Sequence, residues 1–101
     1  MAFTVAVAQF TPEKANVSAN LDRIAEFLDQ AASEGAELAV FPETIVSAYF
    51  LEGGVLEVAL TAEELLAELS MRCSKTIDVL LGFYETHQGN LHNSAAYYEL
   101  G

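Results

Sequence analysis

Glu43 is the residue of this chain whose type and setting best suit it to chemistry. It closes the stretch Leu38-Ala39-Val40-Phe41-Pro42-Glu43. The apolar run Leu38 to Phe41 reads as a buried strand. Pro42 has no N–H to give to a ladder, so the strand stops there. Glu43 thus stands where a strand opens into a loop. In an open α/β sheet the carboxyl ends of the strands form the crevice that receives ligands. A carboxylate at that point is a candidate general base, a role that burial favours by raising its proton affinity. Phe41, two residues earlier, supplies an apolar setting. The competing reading is an exposed loop glutamate, or a cap for a turn at Thr44.

The other reactive side chains point to chemistry less clearly. Cys73 falls at the end of an amphipathic helical pattern, on its apolar face, where a free cysteine behaves as a small buried hydrophobe. Its neighbours Arg72 and Lys75 would favour a reactive thiolate, which is the lesser reading. His87 and His92 are five apart with only Glu85 close by. That is a weak metal signature, and both read as surface residues of a turn, so no metal is expected. Lys75 reads as a charge at a helix C-terminus. Gly53-Gly54 lacks the strand–loop–helix spacing of a phosphate cradle. Tyr49 and Phe50 follow Glu43 closely and are candidates to line a substrate mouth, the alternative being that they anchor the loop.

Composition narrows the function classes. Fifteen acidic residues against four basic ones give a formal net charge of −11. Nucleic-acid affinity needs clustered Lys and Arg against phosphate, and no such cluster exists, so nucleic-acid binding is excluded. The acids are dispersed and read as a solvated surface. A single cysteine permits no internal disulfide, compatible with a reducing compartment. The N-terminus lacks a basic segment and a cleavage site, so it reads as a strand and not as a signal peptide. No apolar run approaches the ~18 residues of a membrane span. A cytoplasmic protein without membrane contact is expected.

These residues must be positioned by a small set of elements. Phe3 to Phe10 reads as a first strand. A helix is expected to start near Asn16 to Ser18, good N-cap types, and to stop at Gly35. Val17, Leu21, Ile24, Leu28 and Ala31 form its apolar stripe, with Asp22, Glu26 and Asp29 on the other side. Strand, helix and strand over some forty residues make a βαβ unit with parallel strands. Thr44 to Leu60 reads as a long functional loop with one helical turn. Thr61-Ala62-Glu63-Glu64 is a capping box opening a helix to about Lys75, with Leu66, Leu69 and Cys73 on one face and Leu65 widening it. Val79 to Tyr84 and Asn93 to Glu99 read as strands joined through the turn His87-Gln88-Gly89-Asn90, with Gly89 and Asn90 supplying its unusual backbone angles. A hairpin following a βαβ unit predicts a mixed α/β sheet with both helices on one face.

Taken together, these segments resemble the nitrilase or carbon–nitrogen hydrolase superfamily. Phe41-Pro42-Glu43-Thr44 is similar to the family's strand followed by Pro-Glu, with Ala48-Tyr49 where Gly-Tyr is usual. Val5-Ala6-Val7-Ala8-Gln9 resembles its first strand, and Ala36-Glu37-Leu38-Ala39-Val40 its helix-to-strand crossover. Gly82-Phe83-Tyr84-Glu85 and Leu91-His92-Asn93-Ser94-Ala95 resemble its third and fourth strands. The resemblance implies an α-β-β-α sandwich, of which residues 1–101 would be the N-terminal portion. It implies a catalytic glutamate, lysine and cysteine acting without cofactor, with Glu43 as the base and the lysine and cysteine beyond Gly101. Cys73 does not fit the cysteine motif, because an aromatic residue follows the cysteine there and Ser74 follows here. The resemblance gives Glu85 a structural role and suggests that Asn93 bonds backbone to fix the hairpin. It implies a small-molecule amide or nitrile substrate and a homodimer or larger homo-oligomer. A glutaminase domain of a glutamine-dependent synthetase is the closest alternative, and a small non-enzymatic α/β module is the alternative from another class.

Overall fold

The computed structural model describes residues 2–49, 54–74 and 77–100. The elements run β1 (Val5–Val7), α1 (Val17–Ser33), β2 (Leu38–Val40), α2 (Val55–Val58), α3 (Ala62–Arg72), β3 (Asp78–His87) and β4 (Asn90–Tyr98). One four-stranded sheet has the order β1-β2-β3-β4. The first three strands are parallel, with Ala39 of β2 in register between Ala6 and Val79, and β4 returns antiparallel to β3. The mixed α/β sheet expected from the sequence is the one observed.

Local chemistry accounts for the ends of each element. The Asn16 side chain accepts from the Ala19 N–H and so caps α1. At its other end Gly35 adopts φ +89°, its N–H donating to Ala32 O and that of Ala36 to Ala31 O. This paired closure relies on the left-handed conformation that glycine adopts without strain. Both halves of the Thr61–Glu64 capping box are formed on α3. Gln88 and Gly89, at φ +51° and +79°, make the two-residue hairpin turn whose twist matches that of the strands.

The core lies between the sheet and the two long helices. Ala39, Val79, Leu81 and Phe83 point into it from the sheet, Leu21, Ile24 and Leu28 from α1, and Leu65 and Leu69 from α3. Each such Leu, Ile or Phe contributes about 1.5–3 kcal/mol relative to exposure. The helices are also tied at their surfaces. Arg72 of α3 pairs with Asp22 of α1 and with Glu68 one turn earlier, and Asp29 of α1 accepts from the Ser74 N–H and hydroxyl. The Tyr98 hydroxyl donates to Ala62 O at 2.7 Å, joining β4 to the start of α3. Burial, aided by the charges of Glu85 and Glu63, pushes its pKa up to about 12. The opposite sheet face is more open, with Val7 62% and Tyr97 51% exposed.

Several expectations shift in detail. The first strand is paired only over Val5–Val7, and α3 ends at Arg72. Lys75 lies outside the described residues. On α3 the buried stripe is Leu65 and Leu69, with Leu66 half-buried. Asp29 was expected on a solvated face, but the turn after α3 uses it as an acceptor. No helix among the described residues is long and apolar enough to cross a membrane.

Candidate functional site

The strand carrying Glu43 ends as its sequence indicates. The Phe41 N–H donates to Leu80 O at 2.8 Å, and Pro42 follows without a donor. Phe41 is buried and held edge-on by Phe10 and Phe27. The chain then turns sharply. Thr44 has φ +53°, a conformation that costs a β-branched residue on the order of 1–3 kcal/mol. Surrounding contacts hold it there. Thr44 O accepts from the Ser47 and Ala48 N–H groups, while Ile45, Val46 and Ser47 are completely or almost completely buried. The first part of the expected functional loop is therefore core, and it fixes the direction in which Glu43 leaves the sheet.

Two further residues seat this turn. A Cβ built on Gly82 of β3 would lie 2.7 Å from Thr44 N and 2.8 Å from Glu43 Cα, so the backbone beside the carboxylate rests directly on the glycine. Asn20 of α1, fully buried, accepts from the Glu13 N–H at 2.8 Å and donates to Glu13 O at 2.7 Å and Val46 O at 3.0 Å. The Ala15 N–H adds a bond to Ser47 O. One amide thus joins the helix to the loops on either side of it. Asn20→Asp keeps the shape but removes both donated bonds. It is expected to destabilise the fold by about 2–4 kcal/mol, because buried carbonyls are left unpaired beside a new charge. A denaturant titration against wild type measures this, and an unchanged midpoint would remove Asn20 from the account.

Glu43 itself is exposed, and its side chain meets β4. Asn93 Nδ2 donates to Glu43 Oε1 at 2.6 Å. Asn93 was expected to bond backbone, and the structure corrects that: it bonds the carboxylate, since its side chain leaves the sheet on the face toward which Glu43 turns. The two residues border a concavity of about 400 Å³, walled by Phe41, Leu80, Gly82 and Ala95. Glu85 accepts from the Ser94 hydroxyl at 2.7 Å, across the hairpin and on the same face as the core residue Phe83. Tyr49 is 60% exposed and does not border the concavity, and Phe50 lies outside the described residues.

The remaining candidates lie elsewhere. Cys73 is half-buried just past α3, and burial, followed by the negative charge of Asp29, raises its thiol pKa. The guanidinium beside it in sequence is engaged by Asp22 and Glu68. Cys73 is expected to react with iodoacetamide more slowly than a free peptide thiol at the same pH, and Cys73→Ser to leave turnover unchanged. Rapid labelling, or loss of turnover in that variant, would restore it as a nucleophile. His87 and His92 are exposed on the hairpin. Among the described residues no three His, Cys, Asp or Glu side chains are grouped so as to hold a metal ion.

Gly82 and Asn20 escaped the sequence reading, although both left a trace. An isolated glycine within a strand pattern signals close approach by another backbone. An asparagine on the apolar stripe of a helix, four residues before Ile24, signals a buried polar tie.

Fold and site together define a mixed α/β domain with a carboxylate at the end of an internal parallel strand, turned into a concavity on the sheet face opposite the two long helices. The chain belongs to the carbon-nitrogen hydrolase family, whose profile matches residues 4–101. It is similar to the glutamine-dependent NAD(+) synthetase of Acinetobacter baylyi, 34% identical over 95 residues, covering 93% of this chain and 18% of that protein. Among solved structures it superposes on the glutamine-dependent NAD+ synthetase of Acinetobacter baumannii with a TM-score of 0.80 and 33% identity, covering 96% of this chain and 19% of that one. An amidase from Nesterenkonia sp. shares the fold, with a TM-score of 0.72 and 20% identity over 96% of this chain and 38% of its own. The chain thus spans about a fifth of the length of the synthetases it matches.

Proposed function

We propose that this chain is the N-terminal portion of a cysteine-dependent carbon–nitrogen hydrolase that cleaves a carboxamide, with Glu43 as its general base. The observation that carries the reading is the placement of Glu43. It projects from a strand end, its backbone is seated on Gly82, and its carboxylate borders a concavity open on one side. In this reading the lysine and the nucleophilic cysteine come from sequence following Gly101. Glu43 takes the thiol proton and the thiolate attacks the amide carbon. The proton passes to the departing nitrogen, which leaves as ammonia, and a thioester remains. Glu43 then removes a proton from water, whose oxygen displaces the thiolate and frees the acid. The lysine stabilises the negative charge that develops on the carbonyl oxygen. Tyr49, exposed and outside this concavity, and Phe50 are assigned to the substrate mouth only by their position in the sequence after Glu43. A cytoplasmic location agrees with a single free thiol, and a homodimer or larger homo-oligomer rests on the family resemblance.

A second reading narrows the substrate to the side-chain amide of glutamine, with the ammonia passed to a synthetase. It is favoured by two relatives above 30% identity, each a glutamine-dependent NAD synthetase. Ammonia release by the intact protein from glutamine and from a panel of simple linear amides tests both. Release from several amides supports the general amidase. Release confined to glutamine supports the second reading, and no release from any of them would overturn both.

A further inference from the structure

We infer that Asn93 is a positioning residue for Glu43, choosing which carboxylate oxygen handles the proton; this rests on the reading of Glu43 as the base. The two lie fifty positions apart and meet because the hairpin folds β4 beside β3. Asn93 stands opposite Tyr84 in the register, with Gly82 two residues away on the same face of β3. The Glu43–Thr44 backbone lies on Gly82, so Glu43 reaches toward β4 and meets the Asn93 amide at 2.6 Å.

The chemistry of the pair settles its polarity. An ionised carboxylate only accepts, so the amide must present its NH₂ and not its oxygen. Oε1 is then occupied by a directed, charge-assisted bond. Oε2 accepts nothing from the described side chains and is the oxygen left to take a proton. A glutamate side chain has three rotatable bonds, and a single fixed oxygen removes most of that freedom before substrate arrives. Asn93 is itself exposed and contributes little to the core, so its replacement leaves the fold in place.

The test compares wild type, Asn93→Ala, Asn93→Asp and Glu43→Gln in the intact protein, reading ammonia release against the concentration of an amide that the wild type hydrolyses, with thermal melts alongside. Asn93→Ala is expected to lower kcat by about 10- to 100-fold with KM little changed, because the base is no longer held in its productive geometry. The nearly isosteric Asn93→Asp is expected to lose at least as much kcat, because a second negative charge faces the first and no donor holds Oε1. A residue that only stabilised the hairpin would lower the melting temperature without this split between kcat and KM. If both Asn93 variants keep the wild-type kcat and KM while Glu43→Gln is inactive, the positioning role is overturned and the base stands. Full activity in Glu43→Gln would overturn the base and this inference with it.

Discussion

Glu43→Gln is expected to reduce amide hydrolysis by about 10²- to 10⁴-fold, mainly through kcat. The substitution preserves the shape of the side chain. The glutamine carbonyl still accepts from Asn93, and the backbone still rests on Gly82. What disappears is the capacity to take a proton, both from the attacking thiol and later from water. Substrate binding does not depend on that capacity, so KM should change little, the pattern of an interaction realised only in the transition state. Glu43 is exposed, so thermal stability should be nearly unchanged. Steady-state ammonia release checks the prediction, and a variant with wild-type kcat would remove Glu43 from the mechanism.

Gly82→Ala is expected to have the second largest effect, although Gly82 carries no chemistry. Its added methyl would meet Thr44 N at 2.7 Å and Glu43 Cα at 2.8 Å, distances that real Cβ contacts do not show. Both atoms are backbone, so no side chain can swing aside, and the turn bearing the base must lift from the sheet. A displacement on the order of 1 Å costs about 100-fold in rate when it misplaces a reacting group. Strain in the packed turn should also destabilise the fold by about 1–3 kcal/mol. Gly89→Ala provides the contrast. Gly89 has φ +79° with nothing within 4 Å, so an alanine there meets only backbone strain. It should cost about 1 kcal/mol and leave kcat unaltered. Kinetics and thermal melts of the two variants side by side separate a site effect from a general one. Equal loss of activity in both would refute the seating role of Gly82.

Much of this architecture was legible from local chemistry. The caps at Asn16 and Thr61, the stop at Gly35 and the break at Pro42 each follow from what one residue does to its own backbone. The hairpin turn was placed at His87 to Asn90, but its left-handed angles fall on Gln88 and Gly89 and not on Asn90, which already pairs in β4. Periodicity placed α1, and the order of strands and helix implied the parallel pairing of β1 and β2. Glu43 was recognisable because the strand end beside it is also a local signal. Thr44 to Val46 read as the start of a long functional loop, yet Ile45 and Val46 are core.

What remained hidden depends on residues far apart in the chain. Asn93 reads as one polar position among several in β4, and only the register of the hairpin brings it to Glu43. Gly82 reads as a weak point in a strand until the turn after β2 is laid on it. Asn20 reads as an imperfection in an apolar stripe until the loops around Glu13 and Val46 converge on its amide. Local propensity acts over a few residues, and it was enough to single out Glu43 and the elements around it. The orientation of that side chain is set by contacts 26 to 50 residues apart in sequence, which exist only once the sheet has assembled.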